Sequence, residues 1–258
     1  MTATLAVRPG PLAALAAVTT GQLSRARAAR GPLLFVATLQ SVGILVLLRG
    51  VVDEGSAATA RQVVAGATVL VVAFVALNLL AQRFGMLRGA TTGSSALDFY
   101  AALPVPAAAV VLGTAAAYAS FTVPGAVLTA VTGCLLYGLP VSHLWVLVLV
   151  LPLAGAALAG LGALLGLLAP RPELATMAGQ LGMTVVLFLG IIPAHRLPAL
   201  LRPVRAIVPS TYGTDALAEA LRSHPNGGRV LVDLAVCAAV GVVALLLASV
   251  AFRRAVRR

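Results

Sequence analysis

The chain has 258 residues, 60% of them hydrophobic and only 10% charged, and its mean hydropathy is +1.05. Soluble domains carry about 25% charged residues, so composition excludes an ordinary soluble fold and points to an integral membrane protein. Eighteen basic residues, all arginine, against seven acids give a net charge of +11. They cluster at the ends of apolar runs, which marks membrane topology rather than nucleic-acid binding.

Residues 11–30 come first. Leu12, Leu15, Ala16, Thr19 and Leu23 share a helical face, and arginines follow. This predicts a helix lying on the cytoplasmic leaflet, with a frayed tail as the alternative. The apolar core Leu12 to Val18 is short and runs into Arg25, Arg27 and Arg30, so no signal peptide is expected.

A spanning helix needs about 20 apolar residues. Six segments qualify: 32–52, 62–81, 105–136, 143–168, 174–193 and 230–252. GLPVS at 138–142 is the clearest turn signal and separates the third from the fourth. The third is long for one crossing, and TVPG at 122–125 could split it. Charge argues for one helix. Arg8, Arg25, Arg27 and Arg30 precede the first span, and Arg253, Arg254, Arg257 and Arg258 follow the last. Both termini then face the cytoplasm, the span number is even, and 105–136 is a single helix tilted or kinked at Pro124. Segments 82–104 and 170–173 fall inside, and 53–61, 138–142 and 194–229 fall outside. The last of these carries five arginines against Asp215 and Glu219, a tension with the positive-inside rule that an embedded segment would ease.

Several chemistries are missing. Without lysine there is no phosphate loop of the GxxxxGK[ST] type, so the chain does not hydrolyse ATP by that route. The spans hold almost no ionisable residue of the kind an ion-coupled carrier keeps at the midplane. Asp233 lies near the start of the last span, where capping and proton relay are both open. Asn78 suits helix–helix hydrogen bonding. Cys134 and Cys237 are too few for a disulfide framework, and His143, His195 and His224 have no ligand spacing, so no metal is expected. Ser210, Asp215 and His224 could be drawn as a hydrolase triad, but no GxSxG elbow surrounds the serine. Gly155, Gly162 and Gly166 in the fourth span include a GxxxG pair, which serves either internal packing or a subunit or substrate-path interface.

The segment 82–104, QRFGMLRGATTGSSALDFYAALP, becomes helix-compatible near Ser95. Ser94 or Ser95 could cap a helix with Asp98 in its first turn, and Pro104 and Pro106 would end it. The product is a short surface helix hinged to the third span. It reads either as a lever for a cytoplasmic partner or as a plain interfacial loop.

The order of these features resembles the permease subunit of type-2 ABC exporters. SALDFYAALPVP, 95–106, is similar to that family's coupling-helix stretch: Asp98 stands on its Glu and Pro104 on its Pro, while Ser95 and Ala96 replace its Gly-Thr. LPALLRPVRAIVPSTYGTDALAEALRS, 197–223, is similar to its pattern before the last span, with Pro209, Tyr212, Ala216 and Leu217 in place. Val208 replaces its Asn and Ala218 its Arg. The resemblance implies an all-α permease with six spans and a cytoplasmic interfacial helix. It also implies a coupling helix between spans two and three and a re-entrant segment before span six. It implies contact with the ATPase through Arg88, Asp98, Phe99, Tyr100, Leu103 and Pro104, and an outer gate at Pro209, Tyr212, Asp215, Leu217 and Glu219. ATP and magnesium would sit on two copies of a separate ATPase, with a second permease copy or a related permease completing a pathway in a bacterial cell membrane. Neither nucleic acid nor a cofactor on this chain is expected. The competing classes are a carrier that works alone and a membrane-embedded enzyme or scaffold.

Overall fold

The computed structural model describes residues 10–25, 27–50, 57–89, 105–192, 198, 200, 203–205 and 208–256, and of residues 25, 27–30, 33 and 89 the backbone alone. Every long element among them is helical. Helix α1 is Pro11–Arg25 and α2 is Arg27–Arg49. Helix α3, Ala57–Ala73, runs through a π-helical stretch, Phe74–Leu79, into α4, Leu80–Gly89. Helix α5 is Ala107–Tyr137, and a 3-10 turn, Val141–Val146, leads into α6, Leu147–Leu168. Helices α7, Pro172–Ile191, α8, Pro209–Ala220, and α9, Gly227–Val256, complete the order.

Among the described residues, five helical stretches are long and apolar enough to cross a membrane: Ala57–Arg88, Ala107–Tyr137, Val141–Leu168, Pro172–Ile191 and Gly227–Val256. In the first expected span, Leu34–Arg49 is apolar but shorter. The second expected span, 62–81, continues to Gly89. The reason is packing: Phe84 and Leu87 of the nominally polar tail are buried in the core.

Helix α5 stays continuous through Pro124. It ends where Gly138 adopts φ 65°, a left-handed conformation that glycine reaches without Cβ strain, and where Leu139 N–H donates to Cys134 O at 2.8 Å. Helix α7 starts with Pro172 in its first turn and Glu173 beside the positive end of its dipole. Helix α9 buries Val230, Leu234, Cys237, Gly241, Ala244 and Ala248, a spacing of alternating three and four residues that lays one stripe along α6. Its other face exposes Leu231, Val242, Val243, Leu246 and Leu247. Helix α3 is the axis of the bundle, with every residue from Val63 to Ala73 buried.

Helix α1 packs on α5. Ala14 and Gln22 are buried and Val18 sits against Gly113, while Leu12 is 79% exposed. Gly113, lacking a Cβ, admits the close approach of Val18 and of the Leu15 carbonyl.

Candidate functional site

Polar chemistry gathers at the two ends of the bundle, and glycines lock the helices between them. One end carries α8. Val208 is extended and Pro209 opens the helix, where its missing N–H costs nothing. The Cys237 thiol donates to Pro209 O at 3.4 Å. Cys237 lies ten residues into α9, so α8 begins about 15 Å below the start of that helix. Gly213 lies against Ala154 of α6; a Cβ on it would come within 2.9 Å of the Ala154 Cβ. Helix α8 is thus inserted among α3, α6 and α9 rather than laid over their ends. Inside, its hydroxyls turn back on the chain: Thr214 donates to Ser210 O at 3.0 Å and Thr211 to Val208 O at 2.7 Å.

Asp215 is the centre of a tie. Arg205 Nη2 donates to Asp215 Oδ1, and Gln62 Nε2 donates to the same oxygen at 3.3 Å. Gln62 also reaches Gly190 O at 2.9 Å, and Arg205 Nε reaches Leu189 O at 3.3 Å. The last turn of α7, whose carbonyls have no partner within the helix, is capped by side chains from α3 and from the approach to α8.

Glu219, one turn further, accepts from Arg222 Nη1 at 3.0 and 2.9 Å and from the Asn226 N–H at 3.3 Å. Burial works to raise its pKa; the bonds from Arg222 and Asn226 and the charges of Arg222 and Arg229 outweigh it and hold the carboxyl below its usual range. Pro209, Tyr212, Asp215, Leu217 and Glu219 therefore share one helix, with Leu217 fully buried. The hydrolase set is not assembled. The Ser210 Oγ is buried without a hydrogen-bond partner, Asp215 is held by Arg205 and Gln62, and His224 is exposed. The Asp233 Oδ2 is buried and has no hydrogen-bond partner, so that oxygen caps no helix.

At the other end, the Arg88 guanidinium donates to Leu167 O and to Ala169 O at 3.4 Å. It satisfies the terminal carbonyls of α6 and sets positive charge at the negative end of that helix. Arg88 thereby joins α4 to α6 immediately before segment 90–104. The other residues expected there, Asp98, Phe99, Tyr100, Leu103 and Pro104, lie outside the described residues.

Between the ends, glycines bring backbones together. Gly162 of α6 faces the Ala76 carbonyl of the π-helical stretch, and Gly166 faces the Ala81 carbonyl. Gly179 of α7 meets the same stretch; a Cβ there would lie 2.6 Å from Leu77 O. Gly85 lies equally close to Ala175. Gly155 is different: a Cβ there would meet only Val72 Cγ1, at 3.6 Å. The reading of the sequence did not single out Gln62, Arg205, Gly85 or Gly179, nor the π-helical stretch. A lone amide at the mouth of an apolar run was the available signal for Gln62.

The family model "ABC-2 family transporter protein" matches residues 33–250. The chain belongs to that family. The match runs from α2 to α9 and includes α8 and segment 90–104. The protein is therefore a multi-pass membrane permease of ABC transport, a class that works with an ATPase subunit. A comparison of the permease with curated proteins gave no match.

Proposed function

We propose that this permease is the membrane half-subunit of an ATP-driven exporter that moves a hydrophobic or amphipathic molecule outward. The carrying observation is the family match over 33–250, which encloses both the Arg88 end and α8. The Arg88 end faces the cytoplasm, α2 is the first of six spans, and both termini are cytoplasmic. Two copies of a separate ATPase bind ATP there and push segment 90–104 through Asp98, Phe99, Tyr100, Leu103 and Pro104. A second permease copy completes the path.

The Arg88 contacts support this reading. A push on segment 90–104 reaches α4 directly and α6 through Arg88. At the far end, α8 with Pro209, Tyr212, Asp215, Leu217 and Glu219 forms the outer gate. ATP does work on such a machine only through its different affinity for the two states.

The test is reconstitution of the permease with its ATPase in liposomes. Asp98→Arg and Pro104→Ala should each leave insertion and ATP hydrolysis largely intact while transport falls by about tenfold, equal to roughly 1.4 kcal/mol of coupling. Normal transport by both variants would overturn the coupling assignment.

A further inference from the structure

Three helices meet at Gly190, in the last turn of α7. A Cβ on Gly66 of α3 would come within 2.8 Å of the Gly190 carbonyl oxygen, so backbone meets backbone there. On its other side, a Cβ on Gly190 would lie 3.4 Å from Thr214 Oγ1 of α8. Close backbone contact leaves α3 and α7 little room to shift against each other. They form a frame. One turn before Gly66, Gln62 Nε2 donates to Gly190 O at 2.9 Å and to Asp215 Oδ1 at 3.3 Å. Gln62 therefore reaches from the frame to α8, and its acceptor there is a carboxylate, which makes the stronger kind of hydrogen bond.

Helix α8 is held in place differently along its length. Its deep half buries Ser210, Thr211 and Thr214, small side chains with hydroxyls. Thr211 and Thr214 spend those hydroxyls on their own helix. Thr211 Oγ1 also lies 2.7 Å from Arg205 O, so Arg205 belongs with α8. Ser210 Oγ is buried without a partner, a cost that contact with water would relieve. Little apolar area retains this half, and elements of that kind open first. The other half is anchored by Leu217 and Leu221, both fully buried.

We propose that α8 is a lid that pivots about Leu217 and Leu221, and that Gln62 is the latch holding it shut against α3 and α7. Opening uncovers the hydroxyls of Ser210, Thr211 and Thr214 and the thiol beneath them. Cys237 donates to Pro209 O at 3.4 Å, and its Sγ would lie 3.9 Å from a Cβ on Gly213. The inference rests on the reading of α8 as the outer gate and adds what keeps that gate closed. Gln62 acts here by positioning α8.

The two native thiols report the motion. Cys237 lies under the lid and Cys134 in α5, and both are fully buried. The full chain in detergent is treated with a hydrophilic maleimide, and modification of each cysteine is timed by mass spectrometry. Gln62→Met keeps the length of the side chain and removes both donors. It should raise the rate at Cys237 about tenfold and leave Cys134 unchanged. Asp215→Asn should also raise it, and the double variant should fall well short of the product of the two increases. An unchanged Cys237 rate in Gln62→Met, equal acceleration at both cysteines, or effects that multiply would each overturn the latch. The gate reading is tested apart, on the wild-type complex with its ATPase, where ATP should speed modification of Cys237. Acceleration by Gln62→Met but not by ATP would uphold the latch and remove the gate assignment.

Discussion

Asp215 accepts from both Arg205 and Gln62, so its removal strands two donors at once. Arg205 and Asp215 are 14% and 28% exposed in their side chains, which makes the pair stronger than a surface bridge and weaker than a fully buried one. Arg205→Gln and Asp215→Asn should each destabilise the protein by about 2 kcal/mol. The double variant should lose clearly less than the sum, a coupling that unfolding in detergent by a double-mutant cycle would measure. Additive losses would mean that the pair contributes nothing as a pair. Glu219 makes a different prediction. Its carboxyl is held below the usual value, so its stabilisation is fully present above about pH 4.3, where unfolded glutamates ionise, and is lost as pH falls through the lower folded value. Thermal melts should show Glu219→Gln less stable than wild type near neutrality, with the gap closing in acid.

At the level of elements, glycines of one residue type do opposite things on the same helix. Gly162 is closed on by the Ala76 carbonyl, while Gly155 faces open space. Gly162→Val must push the π-helical stretch away from α6 and should cost at least about 1–3 kcal/mol. Gly155→Ala should be neutral or slightly stabilising, since it fills space and strengthens the helix. Melting temperatures of the two variants in one detergent compare them directly. The GxxxG spacing was legible because it is local. Which glycine closes and which stays open was not, since that depends on α3 and α5 arriving from far along the chain. The same holds for α1. Its helical period was readable, but its packing on α5 was not, since the contact of Val18 with Gly113 joins residues far apart in the chain. For α8, the resemblance implied a re-entrant segment before the last span; its depth among α3, α6 and α9 follows from tertiary contacts of Gly213 and Cys237.

Across the whole molecule, the exporter reading requires one orientation. Arg83, Arg88, Arg171, Arg253 and Arg254 lie at the end opposite α8, where Glu173 is the acid among the described residues. The α8 end also holds arginines, which strained the positive-inside argument in sequence. Two of them are paired, Arg205 with Asp215 and Arg222 with Glu219, but Arg49, Arg61 and Arg229 lie on that side too, and pairing with acids changes little in a rule that counts arginines. The exporter reading places the Arg88 end in the cytoplasm. The consequence can be read from single cysteines. Cys134 and Cys237 are fully buried and are replaced first by alanine. Ser223 and Glu173 are exposed at opposite ends. In intact cells a membrane-impermeant thiol reagent should label Ser223→Cys and spare Glu173→Cys, which should label only after permeabilisation. Labelling of Glu173→Cys from outside would invert the bundle and place segment 90–104 beyond the reach of a cytoplasmic ATPase. The assay therefore tests the orientation on which the exporter reading depends, without any assumption about cargo.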